Sequence, residues 1–124
     1  MANSDDLATG LMDDMDPRLL ELIQTRINSF IKWDLVRFFH ENPHTTDTAA
    51  NIARYTGRDV RTVEPELMAL ARDGVLQMDD LSGLRVFTLA GNSEMRELVH
   101  VFIKACDDRQ FRVKAIYHVI RSLR

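Results

Sequence analysis

Apolar residues recur at three- and four-residue steps over most of the chain and alternate over one short stretch. From the N-terminal side, Leu20, Ile23, Ile27, Phe30, Ile31, Leu35 and Phe38 keep a helical period, broken by the polar Asp34. They predict a long amphipathic helix from Pro17 to about Glu41, with Asp16 as N-cap and Pro17 at the first helical position. Asn28-Ser29 can split it, with Ser29 capping the second piece, and Asn42-Pro43 ends it. Leu19, Leu22, Trp33, Val36 and Phe39 lie beside the main stripe. Core packing accounts for most of them, and the excess points to some contact with a second subunit.

The middle of the chain is punctuated by glycines. Thr48–Thr56 reads as a helix capped by Thr46 or Asp47 and closed by Gly57. A second helix ends at Asp73, before Gly74. Pro65 would remove a hydrogen bond inside it, so the reading starts this helix near Val63 or Glu64, with Thr62 as N-cap. Val75–Met78 and Leu84–Leu89 then read as two strands around a polar turn, Asp79–Gly83, with Val86 and Thr88 on one face and Arg85, Phe87 and Leu89 on the other. Ser93 caps a last helical region. Its apolar stripe begins with Met95, Leu98, Phe102 and Ala105, and resumes with Phe111, Val113, Ile116, Tyr117, Ile120 and Leu123. The stripe changes phase at Cys106-Asp107-Asp108. Residues 93–123 are therefore either one helix whose buried face rotates, or two, the second capped by Asp107 or Asp108.

An apolar share of 45% is that of a globular chain and too high for disorder. No apolar run nears the ~20 residues of a membrane span, no signal-peptide pattern opens the chain, and Cys106 is alone, so a cytoplasmic, reducing setting is expected. The net charge of −3 is unevenly spread: residues 1–16 hold Asp5, Asp6, Asp13, Asp14 and Asp16 and no cation. Setting that −5 aside leaves +2 for residues 17–124, and Arg109, Arg112, Lys114, Arg121 and Arg124 form a basic end. Residues 1–16 are expected to be an acidic, mostly disordered tail, able to pair with that end, and 17–124 a single domain.

The small Ala53, the turn glycine Gly57 four residues on and the apolar Val63 six after that have the spacing of a helix-turn-helix, and the predicted hairpin follows it. The stretch from about 29 to 90 resembles the winged helix-turn-helix regulators of the MarR, ArsR and PadR kind. The resemblance implies a mainly α fold with a small β-hairpin and long N- and C-terminal helices, acting as a homodimeric DNA-binding transcription regulator. It also implies DNA contacts from Arg54, Arg58, Arg61, Thr62, Arg72 and Arg85 around the second helix and the wing. Dimerisation is expected through Leu19, Leu22, Phe102, Phe111, Ile116 and Ile120, since the apolar content exceeds what the motif needs for itself. Glu64 and Glu66 on the second helix and Asp79 and Asp80 in the wing oppose a polyanion. The alternative is therefore a winged-helix module that docks a protein and binds no specific DNA.

Other chemistry finds little support. His40, His44, His100 and His118 are scattered and Cys106 has no partner in sequence, so no metal site is expected. No nucleophile elbow, phosphate loop or paired His and carboxylate is present, so neither an enzyme nor a cofactor is expected. Trp33, Phe38, Phe39, Phe102, Phe111 and Tyr117 could line a small-molecule effector pocket, though such a stripe is more often core.

Overall fold

A computed structural model describes residues 14–123. Among these residues, six helices and one hairpin follow in order: α1 (Pro17–Thr25), α2 (Phe30–Glu41), α3 (Ala49–Thr56), α4 (Val60–Arg72), β1 (Leu76–Leu81), β2 (Leu84–Leu89), α5 (Ser93–Ala105) and α6 (Arg109–Ser122). The fold is mainly α with one antiparallel two-stranded sheet, a winged helix-turn-helix with helices before and after it. Of the expected tail, residues 1–13 lie outside the described residues; Asp16 caps α1 by accepting from the Arg18 N–H at 2.9 Å.

Local sequence sets most boundaries. The N-terminal helical stretch is split, as Asn28-Ser29 allows: Ser29 is the N-cap of α2 and its hydroxyl accepts from the Lys32 N–H. The C-terminal stretch is also two helices, with Asp108 capping α6. Thr48, not Thr46 or Asp47, caps α3, and Asn92, one residue before Ser93, caps α5.

The second motif helix departs most from expectation. It begins at Val60, not near Val63 or Glu64, because the Asp59 carboxylate accepts from the Arg61 N–H at 2.7 Å and so supplies a cap three residues earlier than Thr62. Pro65 sits inside α4. Its ring removes one bond, to the Arg61 carbonyl, and both residues are exposed, so water can satisfy that carbonyl.

Ala53, Gly57 and Val63 take the places their spacing implies. Ala53 and Val63 are buried between the helices, and Gly57 adopts φ +70° to close α3. The Arg58 N–H then returns to the Ala53 carbonyl at 2.9 Å. α3 packs on α4, α4 on α2 and β1, and α2 on α5, while α1 lies against α5 and α6. One core joins them, built on Leu22, Ile23, Leu35, Phe39, Ile52, Leu67, Leu70, Phe87, Phe102 and Val119.

The wing is longer than its sequence suggests. Asp79 and Asp80 continue β1, and the turn is only Ser82-Gly83, at φ +53° and +85°. Positive φ at both central residues is the tight turn whose twist matches paired strands. Leu76↔Leu89, Met78↔Phe87 and Asp80↔Arg85 pair on one face, and Gln77↔Thr88, Asp79↔Val86 and Leu81↔Leu84 on the other. Asp47 bridges to Phe87 through its N–H and carbonyl, tying the start of α3 to β2.

Candidate nucleic-acid interface

The outward side of α4 exposes Arg61, Thr62, Glu64, Pro65, Met68 and Arg72, and the wing stands beside it. The expected cations lie on α3, in the turn after it, on α4 and in the wing, each with a different degree of freedom.

Arg58 is the most constrained. Its guanidinium pairs with the Asp34 carboxylate of α2, which ties the motif's turn to the helix behind it. Arg61 reaches back to its own helix cap, 3.3 Å from Asp59, and its side chain is 89% exposed. That pairing, and the Arg61 N–H, hold the Asp59 carboxyl below its ordinary value. Arg72 lies 3.4 Å from Asp73 and is largely exposed. Arg85 stands across the hairpin from Asp80, with its Nη1 3.6 Å from the Met68 sulfur. Arg54 is exposed on α3 beside Tyr55, and Thr62 is exposed on the first turn of α4.

Asp47 organises the far end of α3. Its carboxylate accepts from the Thr48 N–H at 2.8 Å, from Asn51 Nδ2 at 2.7 Å and from Tyr55 Oη at 3.0 Å. Burial pushes this carboxyl up, but the three donors and the charge on Arg54 outweigh it and leave it below its ordinary value. Tyr55, stacked on Phe38 at 5.9 Å, is raised by the same bond to Asp47.

The acids differ in kind. Glu66, expected on the outer face, turns toward α2: it accepts from Ser29 Oγ at 3.1 Å and lies 3.6 Å from the ammonium of the buried Lys32. That interaction was not anticipated, since Lys32 falls on the apolar side of its helix and carries no motif. Glu64, Asp79 and Asp80 remain exposed on or beside the face.

The expected dimerisation residues separate into two groups. Leu19, Leu22 and Phe102 belong to the chain's own core, at 4%, 0% and 0% exposure, and Phe111 packs on Phe102 at 6.1 Å. Leu19, Leu22 and Phe102 offer a second copy almost no surface, while Phe111 is half-buried. Ile116 and Ile120 are exposed on α6. The aromatic residues of the supposed effector pocket are also mostly core: Trp33 and Phe102 pack at 5.4 Å, and Phe39 is fully buried. Phe38 and Tyr55 instead border an open groove of ≈ 540 Å³ with Asn42, Thr45, Thr46 and Asp47.

Among the described residues, no cluster of three or more His, Cys, Asp or Glu is placed to hold a metal ion, and no helix is long and apolar enough to cross a membrane. The Cys106 thiol is pushed up to about 11 by burial.

No protein-family model matches the chain, and no curated protein does. One similar solved structure is that of a possible transcriptional regulator from Methanosarcina mazei Go1, with a TM-score of 0.47 and 13% identity over 87% of this chain and 82% of that one. Likeness at that level leaves function to be argued from the site's own geometry.

Proposed function

We propose that the chain is a cytoplasmic transcription regulator that binds double-stranded DNA through α4 and the wing. The observation that carries this reading is the exposed outward side of α4, with Arg61 and Arg72 on it, Arg85 beside it on the wing, and Arg54 exposed on the preceding helix of the motif. The pairs that Arg61 and Arg72 make are surface pairs with sequence neighbours, worth ~0–1 kcal/mol, so a phosphate can replace the carboxylate at small cost. Thr62 is placed for a polar contact. Arg58 is given a different role: held by Asp34, it braces the turn and is not a primary phosphate contact. The reading includes a homodimer presenting two such faces roughly 34 Å apart, with Ile116 and Ile120 on its seam.

A second reading, docking of a protein, is favoured by one observation. Met68 and Met78 line an open groove of ≈ 620 Å³ between α4 and β1, with Pro65 and Arg72 at its wall, and Leu81 and Leu84 are more than half exposed at the wing tip.

Anisotropy titration of a random duplex separates the two. Four phosphate contacts from one chain give a slope of log affinity on log salt of about −3.6, or ~10²-fold weaker binding between about 50 and 200 mM salt, and the eight of a dimer about −7.2, or ~10⁴-fold. Replacing Arg54, Arg61, Arg72 and Arg85 together by Ala should abolish binding, whereas Arg58→Ala should act mainly on stability. No binding of any duplex at about 50 mM salt would sink the DNA reading and leave the second.

A further inference from the structure

Glu64 and Glu66 flank Pro65, but only one of them faces outward. Glu66 is taken up by Ser29 and Lys32, whereas Glu64 is exposed and forms no ion pair among the described residues. Arg61, one turn before it, is turned back to Asp59. The outward stripe of α4 therefore has a definite order. Arg61 stands at one end and Arg72 at the other, with Glu64, Pro65 and Met68 between them, all exposed. The helical rise from Arg61 to Arg72 is about 16 Å, more than the roughly 12 Å width of a major groove. The ends of the stripe suit phosphates and its middle suits base edges.

That middle has no hydrogen-bond donor to offer. Glu64 presents a carboxylate, and Pro65 and Met68 present apolar surface, with the Met68 sulfur 3.6 Å from Arg85 Nη1. The bases differ in what they show such a surface in the major groove. Cytosine shows its N4 amino group, a donor with no acceptor beside it on the same base. Guanine shows the acceptors N7 and O6, which repel a carboxylate. Adenine sets its N6 donor next to the acceptor N7. Thymine adds a methyl group, which suits an apolar neighbour. Glu64 and Met68 lie one turn apart, about 6 Å along the helix, close to two base-pair steps of about 3.4 Å.

We propose, resting on the duplex-DNA reading above, that Glu64 and Met68 determine sequence specificity. Glu64 accepts from the N4 amino group of a cytosine, and Met68 packs on the methyl group of a thymine about two steps away. The arginines supply affinity for the backbone. The exposed carboxylate, which costs affinity on an arbitrary duplex, selects against guanine at its position.

The probe is a pool of random-sequence duplexes, selected on the full chain at about 50 mM salt. The pool should be enriched in duplexes with a cytosine whose exchange for guanine weakens binding about tenfold or more. Glu64→Gln should move the preferred base at that position to adenine, whose N6 and N7 match a carboxamide. Uracil in place of the selected thymine removes one methyl group. It should weaken wild-type binding about fourfold and leave the binding of Met68→Ala unchanged. Asp79→Asn, which removes an acid of the wing, should leave both preferences in place. Enrichment without a cytosine, or a Glu64→Gln protein that binds every duplex more tightly with its preferred bases unmoved, would overturn the proposal and leave the DNA reading standing. Retention of no duplex by the wild-type chain would overturn both.

Discussion

Lys32 is 8% exposed, yet it carries a charge into the contact between α2 and α4. Its ammonium donates to Asn28 Oδ1 at 2.7 Å and faces Glu66 at 3.6 Å, while Ser29 closes the group by donating to the same carboxylate. Removing one partner of a fully buried ion pair costs about 3–5 kcal/mol. The Glu66 side chain keeps 24% exposure, so the cost here should be nearer 1–2 kcal/mol, after the discount for screening. Glu66→Ala is expected to lower the urea midpoint accordingly, whereas Glu64→Ala, on an exposed neighbour, should change stability by no more than ~0.5 kcal/mol. Equal effects of the two substitutions would contradict the assigned geometry. The sequence offered no way to distinguish these two glutamates. Both sit near Pro65, and only the packing of α4 against α2 turns one inward.

At the scale of elements, the turn between α3 and α4 rests on Gly57. A Cβ built there meets nothing within 4 Å, so the cost of a side chain is that of the left-handed backbone alone. Gly57→Ala should therefore destabilise by ~1–2 kcal/mol with little change elsewhere, a figure thermal unfolding can check. A much larger loss would mean that the glycine makes room for a neighbour. This position, with Ala53 and Val63, was legible in the chain because a left-handed cap and a tight helix crossing each demand one kind of residue. The start of α4 was not. Pro65 argued for a late start, but a proline in the second turn loses one hydrogen bond, while Asp59 satisfies an earlier donor and extends the helix by a turn. The wing departs from its sequence pattern for a related reason. Asp79 and Asp80 look like turn residues, yet a two-residue turn at Ser82-Gly83 lets them pair across from Val86 and Arg85.

Across the whole molecule, the motif is joined to the C-terminal helices by α2 against α5. There His40 Nε2 and His100 Nδ1 lie 3.1 Å apart, so one ring nitrogen donates to the other. Burial, then the charges of His100 and Lys104, push the His40 imidazole below its ordinary 6.5, against a smaller opposite pull from Glu41. The folded chain thus holds fewer protons here than the unfolded chain. The stability this confers is complete above pH 6.5 and is lost as pH falls through the lowered value. Melting temperature should fall between about pH 7.5 and pH 5, and His40→Gln should flatten that fall. An unchanged slope in the variant would assign the pH dependence to other groups.

By itself the sequence determined the local events: the caps at Asp16 and Ser29, the glycine turn, the helical stripes, and the charge split between an acidic start and a basic end. These follow from steric and hydrogen-bonding rules that act within a few residues. Tertiary structure decided which side chains were left over. It buried Leu19, Leu22 and Phe102 in the chain's own core, tied Arg58 to Asp34 and Glu66 to Lys32, and left the outward side of α4, the wing tip and Val113, Ile116, Ile120 and Leu123 exposed. Those outcomes depend on which helices meet. Stripe and charge patterns state that a face must be covered or can bind, but the packing of distant elements selects which faces remain.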